Sequence, residues 1–435
     1  MTAEEAPVLI IGWRNHLVDA ARRLGLSPVV VYGPGDKDWA MPQFAPDVRA
    51  VFAERPSDAE SILTALARAG LSDLPYQGVC PGGESSVVVC ALIARALGAP
   101  GLPLDTAVRA RDKFLQKERM RAEGHLTADS RVIDDMEDVH FGTEGLPAVG
   151  FPAVLKPIDG VGTSYTRVAR GEGELVDCAT DLALRSGRHT FVLEEFVPGD
   201  EWEIDGVVRD GVVEFFSVAT YEKPVWHIQK GTAIRILVLD PEHEAWAYAL
   251  MERYLADCLP ALGIQDGVFH LEVFHQPETG RLVFSECAVR PGGGLIPETV
   301  AAKFGVDLTE EHLRAWCGLP VGCRKWEPRP GYFGSVFFPS VGGTLVGCPS
   351  TKELRRQPGV VDAIVQTPVG FGMGPSAANV NMRMGLAVQH APTLEELRVE
   401  QTRILTWFAE RVVTSDQAPS ALPPRFLRAA EGEVS

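Results

Sequence analysis

Two short strands around a turn, rich in acidic residues, constrain this chain more than any other stretch. They lie within residues 266–298, which read DGVFHLEVFHQPETGRLVFSECAVRPGGGLIPE. Alternating apolar residues predict strands over Val268–His275 and Arg281–Ala288, with Pro277 and Gly280 in the turn. The two-residue period of a strand places Val268, His270, Glu272 and Phe274 on one face of the first strand, and Leu282, Phe284, Glu286 and Ala288 on one face of the second.

The register between these strands decides whether their acids meet. We pair His275 with Arg281 across the turn. His270 then lies opposite Glu286, and Glu272 is the diagonal neighbour of Glu286, roughly 7 Å away at the backbone. A slip of one residue would send the two carboxylates to opposite faces. We expect Glu272 and Glu286 to share one surface.

Two carboxylates on one surface repel each other unless a cation lies between them. Mg²⁺ suits such a pair, because it binds through one or two carboxylates together with phosphate oxygens. Arg290 follows, and Gly292, Gly293 and Gly294 offer backbone N–H groups to an anion. The alternatives are a solvated acidic face on an exposed hairpin and an ordinary glycine loop. Taken together, the features favour a phosphoryl-transfer site.

Size and charge limit the remaining function classes. The chain has 435 residues, enough for two or three domains, and 46% of them are hydrophobic. A net charge of −17 argues against a nucleic-acid or anionic-membrane partner held by bulk electrostatics. The first residues, MTAEEAPVLIIG, are unlike a signal peptide, and no apolar run approaches a membrane span. The eight cysteines include no C-x-x-C pair. We expect a cytoplasmic protein with reduced thiols.

Residues 1–104 have the pattern of a Rossmann-like α/β domain. Buried-strand patterns over Val8–Ile11 and Pro28–Tyr32 flank a helical pattern, and Ser57 with Glu60 predicts a capping box for a further helix. No G-x-G-x-x-G follows the first strand, so the dinucleotide fingerprint is absent.

Lysines mark two places downstream. Asp105 and Asp112 each fit a helix N-cap, and Lys113 then lies in the first turn, where a cation is unfavourable unless it is solvated or reaches an anion. The strand Phe151–Lys156 ends on a second lysine, Lys156. A glycine-rich turn follows, which could fold its amides over phosphates or be only a hairpin turn; it contains Gly160, Gly162, Thr163 and Ser164.

The segment TFVLEEFVPGDEWEID predicts two strands broken at Pro198–Asp200. Its acids lie beside apolar surface, as a pocket for a purine and a ribose requires, although a polar strand face fits equally well; they are Glu194, Glu201 and Glu203. Residues 221–235 carry little periodicity and form a candidate lid containing Lys223 and Lys230.

The rest of the chain completes the outline. A long helix ends at Gly263, the region from Gly331 to about Gln389 is β-rich, and Thr393 with Glu396 caps a last helix through Val412. The tail after Ser415 is expected to be disordered or loosely docked.

In this order, the motifs resemble the ATP-grasp superfamily over about residues 5–412. The motifs are RDKFLQ, AVLKP with its glycine turn, VLEEFVPGDEWEID, HLEVF and SECAVRPGGG. The resemblance implies that Lys113 and Lys156 contact ATP phosphates. It also implies adenine contacts from Glu194 and the backbone near Val197, ribose contact from Glu201, Mg²⁺ binding by Glu272 and Glu286, and an Arg290 that faces the reacting group.

One departure narrows the resemblance. Many ATP-grasp enzymes have Asn two residues after the second acid as a further metal ligand, but this chain has Ala288. The pattern of Glu286, Ala288 and Arg290 after H-x-E is most similar to the L-amino acid ligase branch, which joins two amino acids. The departure weakens assignment to biotin carboxylase or D-alanine ligase.

The implied fold class is α/β (α+β), with an N-terminal Rossmann-like domain, a glycine-loop lid and a C-terminal catalytic domain. The expected domains are residues 1–104, 105–195 and 196–412, the last including a β-rich part at about 331–390, followed by a tail over 413–435. Lys223 joins the expected ATP contacts.

The expected activity is an ATP-dependent carboxylate–amine ligase that joins amino acids or small peptides through an acyl phosphate and releases ADP and phosphate. Its cofactors would be ATP and Mg²⁺, with two ions, and a homodimer is possible. His270 would orient substrate or accept the amine proton, or would instead be a hydrogen-bonded histidine behind the site. The alternatives are a tailoring ligase with another acyl donor and a nucleotide-binding module without turnover.

Overall fold

The protein is described here by a computed structural model that covers residues 6–36, 48–134, 149–186, 190–223, 232–373 and 383–415. Two sequence predictions fall outside these ranges, the tail beyond Ser415 and most of the candidate lid, including Lys230. In the described part of the chain, no helix is both long and apolar enough to cross a membrane.

The N-terminal part is a parallel sheet flanked by helices. Its strands are β1 (Ala6–Ile11), β2 (Leu26–Tyr32), β3 (Arg49–Phe52) and β4 (Gly78–Pro81), and its helices are α1 (Asn15–Arg23), α2 (Ala59–Arg68) and α3 (Val87–Leu97). The strand order is β3-β2-β1-β4, with every pair parallel. The run VLII of β1 is fully buried between the helices, as its continuous apolar pattern predicted. The parallel α/β pattern predicted for this part is confirmed.

Helix caps were predicted with mixed success. The Asp112 side chain accepts from the N–H groups of Phe114 and Leu115, so the predicted cap is confirmed. The box predicted at Ser57 is wrong, because Asp58 is the residue that caps α2. Asp105 was also wrongly predicted as a cap. It lies inside the first turn of its helix and pairs instead with Arg109 at 2.7 Å.

An antiparallel sheet of order β5-β8-β6-β7 follows two short helices. The helices are α4 (Leu104–Arg109) and α5 (Lys113–Ala122), and the strands are β5 (Ser130–Ile133), β6 (Ala153–Pro157), β7 (Arg167–Ala169) and β8 (Phe191–Glu195). Helix α6 (Glu172–Ser186) contributes Leu175, Ala179 and Leu182 to the core beneath this sheet. The glycine-rich turn connects β6 to β7.

The largest sheet has eight antiparallel strands. They are β9 (Asp200–Arg209), β10 (Val212–Tyr221), β11 (Ile234–Val238), β12 (Gly267–Gln276), β13 (Arg281–Ala288), β14 (Tyr332–Pro339), β16 (Val360–Val365) and β18 (Arg383–Ala391). Their order is β13-β12-β9-β10-β11-β14-β18-β16. Helix α7 (Ala245–Leu262) packs on one face through Met251, Leu255 and Leu259, and ends at Gly263 in the left-handed conformation, as predicted.

The remaining elements complete the C-terminal part. They are helices α8 (Ile296–Phe304), α9 (Leu308–Trp316), α10 (Thr351–Arg355) and α11 (Leu394–Ala409), and strands β15 (Gly343–Gly347), β17 (Gly372–Met373) and β19 (Val413–Ser415), which form a sheet of order β17-β15-β19. The predicted β-rich stretch and the capping box of Thr393 with Glu396 are confirmed. Leu313 and Trp316 of α9 enter the core of the N-terminal part.

The acidic hairpin has the predicted strands but a different register. Gln276, rather than His275, pairs with Arg281, and His270 lies opposite Ala288 instead of Glu286. That slip alone would place Glu272 opposite Ser285. A β-bulge at Ser285 inserts one residue, so that Glu272 lies directly opposite Glu286. Glu272 and Glu286 therefore share one face, as predicted, because the bulge at Ser285 compensates for the shift in register.

The bulge also divides the second strand. Phe284 pairs with Val273 and packs with it beneath α7, on the face opposite Glu286. Leu282 belongs to the same core cluster. The prediction that Leu282, Phe284, Glu286 and Ala288 share one face is therefore wrong, since a regular period was assumed across Ser285.

Candidate active site

Three carboxylates form a row across neighbouring strands of the large sheet. Glu286 of β13 lies opposite Glu272 of β12, and Glu272 lies opposite Glu203 of β9. Directly opposed side chains have Cβ atoms about 5 Å apart, so uncompensated charges here would repel strongly. The sequence predicted two members of this row as metal ligands and interpreted Glu203 only as part of a nucleotide pocket.

Lys113 neutralises the charge of Glu286, the carboxylate at one end of the row. It is the first residue of α5, and its ammonium group forms an ion pair with Glu286. Burial alone would raise the pKa of Glu286, but Lys113 and Lys156 lower it well below its ordinary value. The carboxylate therefore stays ionised, the form in which oxygen ligands bind a cation.

Lys156 reaches the same region from β6. Its Nζ lies 3.0 Å from Oε2 of Glu194, the fourth residue of β8. Burial alone would lower the pKa of Lys156, but Glu194 and Glu286 raise it, so this lysine is a buried cation. The lysine of AVLKP thus lies within electrostatic reach of the acidic hairpin.

A third lysine in this cluster was missed from the sequence. Lys117 lies one helical turn after Lys113, is 1% exposed, and its Nζ is 2.9 Å from Oε1 of Glu194. Burial lowers its pKa to about 8 despite the attraction of Glu194. The available signal was the helical spacing of i and i+4, which places both lysines on one face of α5. Each carboxylate oxygen of Glu194 thus has a lysine partner, and the contact of Glu194 with adenine stays a prediction.

The glycine-rich turn is tied to the start of α5. The N–H of Lys113 donates to the carbonyl of Ile158 over 3.0 Å, and Arg111 donates to the carbonyl of Asp159 over 2.6 Å. Gly162 and Thr163 both have positive φ, near 57° and 58°. The hydroxyl oxygen of Thr163 is buried and has no hydrogen-bond partner among the described residues. The turn therefore lies beside Lys113 with a left-handed backbone of the kind that forms anion-binding concavities.

Arg290 is held by an acid from the N-terminal part. Its guanidinium donates twice to one oxygen of Glu84, through Nε at 2.9 Å and through Nη2. Arg111 donates to the other oxygen at 2.8 Å. Burial alone would raise the pKa of Glu84, but Arg290, Lys113 and Arg111 lower it. Glu84 follows β4 and lies 206 residues from Arg290 in the sequence, so no local pattern could have found this pairing.

His270 is fixed between two carboxylates. Its Nδ1 lies 3.1 Å from both oxygens of Asp205, and its Nε2 lies 3.3 Å from Glu272. Burial alone would lower its pKa, but the two acids raise it well above its ordinary value. With both nitrogens engaged, this histidine orients Glu272. Of the two roles open from the sequence, the arrangement favours the hydrogen-bonded histidine over a proton acceptor.

Asp205 was also missed and joins two parts of the site. It is 2% exposed, and besides His270 it accepts from the N–H of Gly292 over 3.0 Å. A Cβ built on Gly292 would lie 2.7 Å from the carboxylate oxygen of Asp205. Position 292 therefore requires glycine for close approach rather than for flexibility.

Glu203 differs from its neighbours in charge. It is buried, and within the described ranges one of its carboxylate oxygens has no hydrogen-bond partner. Burial, followed by the repulsion of Asp205, raises its pKa to about 8. Burial and the neighbouring Asp205 therefore favour the neutral form of the Glu203 carboxyl group, which lessens the negative charge of the row.

The other residues predicted to contact the nucleotide differ in burial and in their neighbours. Val197 is 8% exposed and packs with Ala128 and Val283. Glu201 lies on the same face of β9 as Glu203 and opposite Phe274. Lys223 is exposed beyond the end of β10, and no contact ties it to the cluster in the described residues. Gly160 is buried, while Gly162, Thr163 and Ser164 are half-buried.

The chemistry of the carboxylates determines which metal ion they could hold. Within the described ranges, no group of three or more His, Cys, Asp or Glu residues is close enough to enclose a metal. An opposed pair of carboxylates at a lysine-lined surface instead matches Mg²⁺, which keeps waters and binds through one or two carboxylates plus phosphate oxygens. Glu272 and Glu286 fit that ion, and they do not fit a closed site made only of protein ligands.

Comparisons with known proteins give relatives over most of the chain. The L-arginine-specific L-amino acid ligase of Bacillus subtilis is 24% identical over 298 residues, covering 66% of this chain and 69% of that protein. The L-amino acid ligase structure from Bacillus licheniformis covers 95% of this chain and 100% of its own, with a TM-score of 0.76 and 20% identity. No family model matches the chain.

A second solved structure extends the comparison beyond amino acid ligases. The carboxyaminoimidazole ribonucleotide synthase of Aspergillus clavatus, complexed with ATP, covers 93% of this chain and 99% of its own, with a TM-score of 0.67 and 16% identity. At these identities the structural likeness establishes the fold. The resemblance to the ATP-grasp superfamily is confirmed, and this chain has the ATP-grasp fold.

Proposed function

We propose that the protein is an ATP-dependent carboxylate–amine ligase that joins amino acids or small peptides through an acyl phosphate. The observation that carries the proposal is the direct opposition of Glu272 and Glu286, with Lys113 paired to Glu286. Lys156 and Arg290 complete the arrangement from β6 and from the loop after β13. Acids for a cation, lysines for phosphates and a guanidinium for a carboxylate are the groups that such a reaction needs.

The reaction divides into two displacements. A carboxylate oxygen of the acyl donor attacks the γ-phosphorus of ATP, and ADP leaves. The resulting acyl phosphate can expel phosphate from its acyl carbon, whereas the free carboxylate would have to expel oxide. The amine nitrogen of the acceptor then attacks the acyl carbon, phosphate leaves, and the nitrogen loses a proton. Lys113 and Lys156 stabilise negative charge on phosphate oxygens, and the amides of the glycine-rich turn bind the same group.

Arg290 binds the donor carboxylate in this proposal. Its bonds to Glu84 fix the guanidinium plane, and Nη1 also donates to the carbonyl of Pro291 over 2.9 Å. A guanidinium held in this way meets a carboxylate with little loss of side-chain entropy. Glu84 thus positions Arg290 between the N-terminal part and the acidic hairpin.

Mg²⁺, as one or two ions held by Glu272 and Glu286, would neutralise phosphate charge and align the triphosphate. The protein orients these ligands itself, because Lys113 contacts Glu286 and His270 contacts Glu272. Asp205 fixes His270 in turn. Such partners behind a metal ligand commonly change metal affinity when they are altered.

Amino acids are the proposed substrate class because of the similarity to two L-amino acid ligases, at 24% and 20% identity. The absence of Asn at position 288 agrees with that branch. We further propose the domain limits given by the sequence, at residues 1–104, 105–195 and 196–412, and a cytoplasmic enzyme.

Phosphate release on mixing the protein with ATP, Mg²⁺ and a panel of amino-acid pairs tests the proposal. We expect release that depends on both amino acids, with the amide product detected by mass. Release stimulated only by other carboxylates would point to a different acyl donor. Nucleotide binding without release under any condition would contradict the proposal and leave a binding module.

A further inference from the structure

The strand that carries Glu286 lies at the edge of the large sheet. Its inner side pairs with β12, while its outer backbone groups face away from the sheet. An edge strand normally leaves such groups to water or to another chain. Here they are bound, because the N–H of Phe284 donates to the carbonyl of Leu126 over 2.8 Å and helix α5 covers the residues that follow.

Gln116 of α5 takes the place of a neighbouring strand. Its side-chain carbonyl accepts from the N–H of Cys287 over 2.8 Å, and its amide group donates to the carbonyl of Cys287 over 3.0 Å. The residue is 2% exposed, so water does not compete for these bonds. A carboxamide presents one donor and one acceptor side by side, as a peptide group does.

Lys117 binds the other side of Glu286. Its ammonium group donates to the carbonyl of Ser285 over 2.6 Å. Ser285 is the extra residue of the bulge. Gln116 and Lys117 therefore hold the two residues that flank Glu286, while Lys113 of the same helix contacts the Glu286 carboxylate.

The bulge decides which face Glu286 occupies. If β13 continued from Phe284 in regular register, without the bulge, Glu272 would lie opposite Ser285. Glu286 would then project to the face of the sheet that packs against α7. A bulge weakens the regular ladder, so it needs partners for the backbone groups it displaces. Those partners come from α5.

We propose that Gln116 is a positioning residue that holds the bulged strand in register, so that Glu286 faces Glu272. This inference rests on the proposed function, because the register matters only if Glu272 and Glu286 bind Mg²⁺ together. Lys117 assists, but it also contacts Glu194, so Gln116 gives the cleaner test.

The test compares ADP binding with and without magnesium chloride, by calorimetry, in the full chain and in Gln116→Leu. The variant removes both bonds to Cys287 and changes no group that faces nucleotide. Partners behind a metal ligand are typically worth about 10- to 100-fold in metal affinity, so we expect the strengthening of ADP binding by Mg²⁺ to fall by that factor. Affinity for ADP alone should stay within about twofold, since the lysines and the glycine-rich turn are unchanged.

Gln401→Leu is the matched control. Gln401 is also a fully buried helical glutamine whose amide donates to strand carbonyls, those of Ile236 and Ser335, but it lies on α11. We expect this variant to lose stability while Mg²⁺ strengthens its ADP binding as in the unaltered protein. Amide hydrogen exchange provides a second readout without nucleotide, with faster exchange at Cys287 expected only in Gln116→Leu.

The outcomes separate the inference from the proposed function. If Mg²⁺ fails to strengthen ADP binding in the unaltered protein, the proposed function fails. If it strengthens binding equally in the unaltered protein and in Gln116→Leu, the positioning role is wrong. Should Gln116→Leu not fold, Gln116→Met replaces it. Methionine keeps the length of the side chain but forms neither bond to Cys287, and full Mg²⁺ dependence in that variant would equally overturn the inference.

Discussion

The N–H of Gly292 donates to the buried carboxylate of Asp205 over 3.0 Å. This bond joins the glycine loop after the acidic hairpin to β9, and the same carboxylate holds His270 against Glu272. The loop, the histidine and a proposed metal ligand therefore share one partner. Altering that partner or the space around it should disturb all three.

Asp205→Asn should lower the turnover number about 10- to 100-fold. Asparagine keeps the shape but has only one acceptor oxygen and no charge, so it cannot hold both Gly292 and the imidazolium of His270. Steady-state kinetics should show the loss mainly in kcat rather than in the KM for ATP. Asp210→Asn, in the exposed turn after β9, is the control and should behave like the unaltered protein. Equal loss in both variants would contradict the assigned role.

Gly292→Ala should destabilise the protein by about 1–3 kcal/mol and reduce activity. The added methyl would lie 2.7 Å from Asp205 Oδ1, 2.7 Å from Ile296 Cδ1 and 3.0 Å from His270 Nδ1. Gly293→Ala tests the same change one residue away, where nothing lies within 4 Å of the new atom. Urea unfolding should separate the two variants. Identical unfolding free energies would show that the close approach at Gly292 is not maintained in solution.

Glu286→Gln should abolish ATP-dependent phosphate release while the protein still folds. The substitution removes one of the two proposed metal ligands and the partner of Lys113. We expect a fall of at least about 100-fold, comparable to the loss of a main source of charge stabilisation. Glu278→Gln in the exposed hairpin turn is the matched control. Unaltered release by Glu286→Gln would remove this residue from the site.

The free energy of unfolding should fall as the pH is lowered, because His312 becomes protonated more readily in the unfolded chain. This residue of α9 is 1% exposed, and its Nε2 lies 3.4 Å from the carbonyl of Pro81. In the part of the chain that the structure describes, its Nδ1 has no hydrogen-bond partner. Burial above all, and then repulsion from His16 in its protonated form and from Arg290, lowers its pKa from 6.5 to about 4. The unfolded chain therefore binds more protons between these pH values, and the contribution of His312 is lost as the pH falls from 6.5 to about 4.

The measurement for His312 is the unfolding free energy in urea at pH 7.5 and pH 4.5. The loss due to this residue amounts to about 3 kcal/mol at most. His312→Gln lacks the titrating group, so its unfolding free energy should depend less on pH over this window. A variant with the same pH dependence as the unaltered protein would show that His312 does not contribute.

The sequence predicted the hairpin, the Lys113 and Lys156 segments and the parallel N-terminal sheet, because each depends on local periodicity and turn chemistry. The register of the hairpin could not be obtained in this way. It depends on the bulge at Ser285, which is bound by side chains of a helix about 170 residues earlier. Glu84 escaped notice for the same reason, since its partner Arg290 lies in a distant segment. In the sequence Asp205 is one more acid on a strand, and only its contact with Gly292 in the folded chain distinguishes it.

The most direct test of the acyl-phosphate route uses an acyl donor labelled with oxygen-18 in its carboxylate. The protein is mixed with ATP, Mg²⁺, the labelled amino acid and an amine acceptor found in the panel, and the phosphate is analysed by mass spectrometry. Attack of the carboxylate on the γ-phosphorus predicts one labelled oxygen in each phosphate released with the amide product. Unlabelled phosphate accompanying amide formation would contradict the route and the roles proposed for Glu272, Glu286 and Arg290.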